Sequence, residues 1–309
     1  MAGKDNQYHW ARTDLRFIKI NIMPLLTATD GTTLFYKDWG TGKPVVFVHG
    51  AAMTSAFWEY MMLHFNSQGL RCIAYDQRGH GRSDDPGSGY DFDTLADDLH
   101  SLLETLDLRD VTLVGHSMGG GVIIRHQARY GHSGRVSKLG LIGTPDCLKK
   151  AADNPEGIED SLFEEILATT IAKDYPKWLD DNVDPFYLPA TFGVSDGTIR
   201  WTIDMMRTTP MRTVVDCQRQ TFRVDLRNDL RKITIPSLVI HGDLDASIPF
   251  RCGKAIAEAI PGSLFKAYPG APHGIIITHA DQVNSDLLSF INADHVAYPQ
   301  TSYHAADRV

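Results

Sequence analysis

The chain has 309 residues, 43% of them hydrophobic, which suits one large domain or a core with an insertion. A formal net charge of −8, a pI near 5.9 and the lack of any Lys/Arg block argue against a nucleic-acid partner, and no apolar run approaches a membrane span. Cys72, Cys147, Cys217 and Cys252 are scattered without paired spacing, so they read as thiols of a reducing, cytoplasmic compartment and not as a disulfide frame or zinc site.

Residues 1–23 read as an N-terminal extension. They lack the apolar stretch of a signal peptide, and Phe17-Ile18-Lys19-Ile20-Asn21-Ile22 alternates as a strand does. From residue 25 short β-rich runs alternate with helical periods. Strands are predicted at 25–29, 33–39, 44–49, 71–75, 111–115, 136–142, 235–241 and 264–268, with helices near 55–67, 92–106, 119–130, 250–260 and 280–291. The first two strands form an antiparallel hairpin with Asp30-Gly31 as its turn. Val45-Val46-Phe47-Val48 and Ser237-Leu238-Val239-Ile240 are apolar without alternation, as in strands covered on both faces of a mostly parallel sheet. Strand then helix, repeated, gives an α/β doubly wound core, assigned to 24–145 and 223–293.

Residues 146–222 break the rhythm and read as a helical lid over the sheet's carboxyl edge. Leu162, Phe163, Ile166, Leu167 and Ile171 fall on one helical stripe, Ser195 caps a helix carrying Ile199, Ile203 and Met206, and Pro210 opens another. Residues 294–309 read as a solvated tail.

The chemistry starts at Gly115-His116-Ser117-Met118-Gly119, between the strand Val111-Thr112-Leu113-Val114 and a helix. A serine at the tip of a strained strand-to-helix turn presents its hydroxyl outward, and side chains two positions to either side would collide there, which calls for glycine. Such a hydroxyl needs a base within reach and a third group to orient that base, in the chain order Ser, Asp/Glu, His. Asp243 and Asp245 follow the late strand in His241-Gly242-Asp243-Leu244-Asp245; Asp245 is favoured as the acid, with Asp243 bracing the turn. The base candidate is His273 in Gly270-Ala271-Pro272-His273-Gly274, with His279 as its competitor. Backbone N–H groups of Met118 and Ala51 are assigned to the oxyanion hole, His49 to anchoring the loop, and His116 to shaping the turn.

These residues, together with Asp76-Gln77-Arg78-Gly79-His80-Gly81-Arg82-Ser83-Asp84, resemble the α/β-hydrolase superfamily over about residues 25–292. Within it the chain is similar to small esterases that include the cofactor-free haloperoxidases, through Tyr36-Lys37-Asp38-Trp39-Gly40, Val111 through Gly121, and Ala271-Pro272-His273-Gly274 leading into Thr278-His279-Ala280-Asp281. The resemblance implies an α/β-hydrolase fold, no cofactor or metal, and activity as esterase, lactonase or perhydrolase, with halogenation arising from a peracid made at the same triad. Such relatives carry Trp-Pro after His-Gly where this chain has Ala51-Ala52, and the smaller wall favours ester or lactone hydrolysis. Ser117 argues against dehalogenase or epoxide hydrolase chemistry, where a carboxylate holds that position. The expected substrate is a small ester or lactone, with Trp178, Phe186, Tyr187, Trp201, Met205 and Met206 around it; perhydrolysis, C–C bond hydrolysis and a non-enzymatic receptor role are the alternatives, and a homo-oligomer stays open.

Overall fold

The computed structural model describes residues 23–293. The alternation at 17–22, most of the N-terminal extension and the tail from Asp294 lie outside the described residues. Eight strands form one sheet: β1 (Leu25–Thr27), β2 (Thr33–Trp39), β3 (Pro44–Val48), β4 (Arg71–Tyr75), β5 (Val111–His116), β6 (Val136–Ile142), β7 (Ser237–Gly242) and β8 (Leu264–Tyr268). Their order is β1-β2-β4-β3-β5-β6-β7-β8. Pairing is antiparallel from β1 to β2 and from β2 to β4, and parallel elsewhere. The expected hairpin forms, and Asp30 Oδ1 accepts the Thr32 N–H at 3.0 Å inside its turn.

The unbroken apolar runs are explained by cover on both faces. Successive side chains of a strand point to opposite sides. Val46, Val48, Ile73 and Leu113 therefore join one buried cluster, with residues of α2 (Phe92–Thr105), α3 (Met118–Tyr130) and α11 (Phe250–Ala259). Val45, Phe47, Cys72, Ala74 and Val114 join the other, with Met61, Met62 and Phe65 of α1 (Glu59–Ser67) and Val283, Leu287 and Phe290 of α13 (Ala280–Asn292). Buried Lys138 of β6 donates to the Phe290, Ile291 and Ala293 carbonyls at 2.7–3.0 Å, satisfying acceptors at the end of α13.

Between β6 and β7 the chain is helical: α4 (Asp160–Thr169), α5 (Tyr175–Asp181), α6 (Val183–Tyr187), α7 (Pro189–Phe192), α8 (Asp196–Arg207), α9 (Met211–Arg223) and α10 (Arg227–Leu230). Ser195 caps α8 by accepting the Thr198 N–H at 3.2 Å, and Pro210 directly precedes α9, both as the sequence indicates. The predicted five-residue stripe of α4 needs correction. Leu167 and Ile171 are buried, but Leu162 and Ile166 are 49% and 46% exposed. Each of those two lies one residue, about 100°, around the helix from Phe163 and Leu167, and α4 packs on one side only. All four cysteines are buried free thiols, and among the described residues no helix is long and apolar enough to cross a membrane.

Candidate active site

Ser117 stands alone between β5 and α3 with φ 54° and ψ −126°, a conformation that side chains avoid. Core backbone holds it there: its N–H donates to Ile142 O at 2.9 Å, and Gly120 N–H returns to Ser117 O at 3.0 Å. The flanking glycines answer to sterics. A Cβ on Gly119 would lie 2.2 Å from Val48 O, and one on Gly115 would lie 2.6 Å from Gly119 O.

Asp245 follows β7 and is buried. Its Oδ1 accepts the N–H groups of Ser247 and Ile248 at 2.9 and 2.8 Å, and its Oδ2 lies 2.7 Å from His273 Nδ1. Burial alone would raise this carboxyl; the His273 ring, His241 and the Ile248 N–H outweigh it and hold the acid below the usual range. With Nδ1–H donating to Asp245, a neutral His273 carries its lone pair on Nε2. Gly143, at φ +51°, leaves room for the pair, since a Cβ there would sit 3.2 Å from both Asp245 Oδ2 and His273 Nδ1. The His273 carbonyl accepts from His116 Nε2 at 3.0 Å, so His116 ties the His273 loop to the end of β5. Burial, and then the proximity of His273, lowers His116 to about 3, which keeps it neutral.

The rival candidates sit elsewhere. Asp243 is exposed and accepts the Gly270 N–H at 2.6 Å, bracing the turn. His279 lies between α12 (Ile275–Thr278) and α13, and its Nδ1 pairs with Thr278 Oγ1 at 2.9 Å.

The loop after β3 meets Ser117 closely: a Cβ on Gly50 would lie 3.1 Å from Ser117 Cβ. Met118 is the first residue of α3, where an N–H has no intrahelical acceptor. The Ala51 N–H likewise finds no protein acceptor among the described residues. His49 Nε2 accepts the Gln77 N–H at 3.0 Å, so its Nδ1–H donates to Gly50 O at 2.8 Å. Because a peptide is planar and trans, holding the Gly50 carbonyl fixes the opposed Ala51 N–H. Burial, then His80, lowers His49 to about 3, so this tautomer persists.

The α/β-hydrolase fold family matches residues 43–192. A non-heme chloroperoxidase of Kitasatospora aureofaciens is 39% identical over 277 residues, covering 87% of this chain and 100% of its own length. The chain belongs to the α/β-hydrolase superfamily. A bifunctional esterase/perhydrolase of Acinetobacter calcoaceticus is 34% identical, with 88% of this hydrolase and 100% of the relative covered. The crystal structure of a bromoperoxidase from Bacillus anthracis has a TM-score of 0.81 and 38% identity, covering 87% and 100% of the two chains.

Sequence reasoning left the mechanical work of the segment from Asp76 to Asp84 unassigned in this hydrolase. Asp76 accepts the Ser55 and Arg82 N–H groups at 2.7 and 2.9 Å, and Gln77 Nε2 donates to His49 O at 2.7 Å. Arg78 forks onto buried Asp98 with two 2.7 Å bonds and reaches Asp30 at 2.8 Å. The segment is a brace beneath the loop that carries Ala51. The signal for it was a run of polar residues directly after a buried strand, where each must find a partner.

Of the six aromatic and methionine residues expected around substrate, Phe186, Tyr187 and Met206 line an apolar cavity of about 30 Å³ within the helical segment. Phe186 also meets the His273 ring edge-on at 5.4 Å. Buried Met205 packs into a core cluster that Trp201 flanks, and Trp178 flanks the cluster around Leu167. Trp201 also meets Tyr60 at 5.9 Å.

Proposed function

We propose that this α/β hydrolase cleaves carboxylic esters or lactones through an acyl-enzyme on Ser117. The observation that carries the reading is the buried 2.7 Å contact between His273 Nδ1 and Asp245 Oδ2 on the same sheet edge as a serine in a strained turn. His273 Nε2 takes the Ser117 proton as Oγ attacks the carbonyl carbon. Asp245 keeps the ring in the required tautomer and stabilises the imidazolium. The Ala51 and Met118 N–H groups receive the oxyanion. His273 then protonates the leaving alkoxide, and its second turn as a base activates the water that releases the acid.

The helical segment from 146 to 222 acts as the lid in this reading, with Phe186 edge-on to the His273 ring. Small or medium acyl groups and cyclic esters are the substrates expected in this reading. Perhydrolysis at the same triad is the second reading, favoured by the relative named as an esterase/perhydrolase.

The test is initial rates on p-nitrophenyl esters of increasing acyl length for wild type and Ser117→Ala, with and without peroxide. Labelling at Ser117 by an organophosphonate and loss of release in the variant are expected. Ester release that persists in Ser117→Ala would overturn the assignment, and oxidation of halide by peroxide and a short carboxylic acid would move it to perhydrolysis.

A further inference from the structure

Ala52 stands at φ +61°, a left-handed conformation in a residue that carries a side chain. Such a conformation persists where its surroundings over-determine it. Three contacts do so here. The Ala52 N–H donates to His80 Nε2 at 3.2 Å, and His80 Nδ1 lies 2.9 Å from Arg78 O, which places its proton on Nδ1 and its lone pair towards Ala52. The Ala52 carbonyl accepts the Thr209 hydroxyl at 3.1 Å, in a buried contact between residues 157 positions apart. The Ala52 methyl is 1% exposed, in a cluster with Leu167, Ile171, Tyr175, Leu179 and Val214. The first contact comes from the core and the other two from the helical segment between β6 and β7. Thr209 itself is 3% exposed, in the link between α8 and α9, and its N–H is already taken by Met206 O at 3.2 Å. The peptide on the other side of Ala51 is held by His49 through Gly50 O at 2.8 Å. Ala51 is thus pinned from both ends, once by the core alone and once with the helical segment.

We propose that Thr209 is a positioning residue for the oxyanion hole: by holding the Ala52 carbonyl it steadies the far side of Ala51, so that the Ala51 N–H, fixed by His49 from the near side, keeps its full aim only with the helical segment docked. The inference rests on the ester-hydrolase reading above and adds a residue to it. Thr209 touches no reacting atom. It acts through Ala52 on a donor whose value depends on where it points.

The experiment uses the full chain and p-nitrophenyl butyrate. Thr209→Val keeps the shape and removes the hydroxyl. It is expected to lower kcat roughly tenfold, short of the ~100-fold or more that follows complete loss of an oxyanion donor, with KM changed by less than about twofold. Thr209→Ser should restore kcat. Glycine adopts this φ without a clamp. Introducing Thr209→Val into an Ala52→Gly background should therefore cost no more than about threefold relative to Ala52→Gly alone. Wild-type kcat in Thr209→Val, or an undiminished penalty in the glycine background, overturns the proposal. So does Thr209→Ser behaving like Thr209→Val. If Thr209→Val does not fold, Thr209→Ala and Thr209→Ser in both backgrounds give the same comparison. Failure of the underlying reading looks different: wild type itself would neither turn over the ester nor take an organophosphonate on Ser117.

Discussion

Two turns at the carboxyl edge of adjacent parallel strands hold a non-glycine residue at positive φ: Ser117 after β5 at 54°, and Ala52 in the loop after β3 at 61°. They are stabilised differently. The Ser117 turn closes on backbone of the sheet, through Ile142 O and the fit of Gly119 against Val48 O. The Ala52 turn closes on side chains: His49 and His80 below it and Thr209 of the helical segment above. In the proposed mechanism, a Ser117 nucleophile fixed by backbone is indifferent to what covers it. In the same mechanism, an Ala51 oxyanion donor fixed by side chains from two parts of the chain responds to whether those parts are together.

The widest gap between the turns appears in the reacting groups. Ser117→Ala is expected to lower kcat by on the order of 10⁴-fold or more, with the fold intact by circular dichroism. Asp245→Asn should approach the same loss, about 10⁴-fold, because an amide that offers its N–H to Nδ1 stabilises the wrong His273 tautomer. Near-wild-type kcat in Asp245→Asn would remove that carboxylate from the mechanism and reopen the case for Asp243.

Gly119 is where the two turns touch. A methyl there would meet the Val48 carbonyl 2.2 Å away, and neither partner is a flexible side-chain tip. Gly119→Ala should cost about 3 kcal/mol, the upper end for overpacking, and lower kcat as well, since Val48 leads directly into the loop of Ala51. Urea unfolding and ester turnover check both halves. A stable variant with unchanged kcat would mean that the strands yield independently.

Much of this arrangement was legible in the sequence, for local reasons. Val45 to Val48 and Ser237 to Ile240 show their burial because both faces of a central parallel strand are covered. Ser195 announces α8 because a cap needs only its own next three residues. Asp245 and His273 were found through chain order, and the structure brings them to 2.7 Å. What stayed hidden is long-range. Nothing near Thr209 says that its hydroxyl reaches Ala52, and nothing in the segment from Asp76 says that Arg78 forks onto Asp98 twenty positions on. The period of α4 was legible, but which flank meets the core depends on neighbours far along the chain, so Leu162 and Ile166 came out exposed.

Acid should probe both turns together. Burial, assisted by a neighbouring histidine, holds His49 and His116 down to about 3, while an unfolded histidine titrates near ~6.5. Between those values the unfolded chain binds the extra protons. Stability is therefore full above about pH 6.5 and declines as pH falls, by about 1.4 kcal/mol per pH unit for each such histidine. The urea midpoint measured from about pH 7 down to about pH 4.5 should drop steadily. A midpoint flat over that range would show that these rings are not held neutral.

His126 on α3 gives the smallest and cleanest effect. It is fully buried, neither ring nitrogen has a hydrogen-bond partner among the described residues, and burial, then His100, lowers it to about 3. Replacing it with leucine removes unsatisfied polar atoms from a helix interior and should raise stability by about 1–2 kcal/mol at neutral pH. It should also remove one histidine's share of the acid slope. Because α3 begins at the Ser117 turn, the variant asks whether tightening the helix behind Ser117 alters the chemistry. Backbone contacts already fix Ser117, so kcat should not move; a changed kcat would show that the turn depends on the helix packing behind it, and would erase the contrast with Ala52.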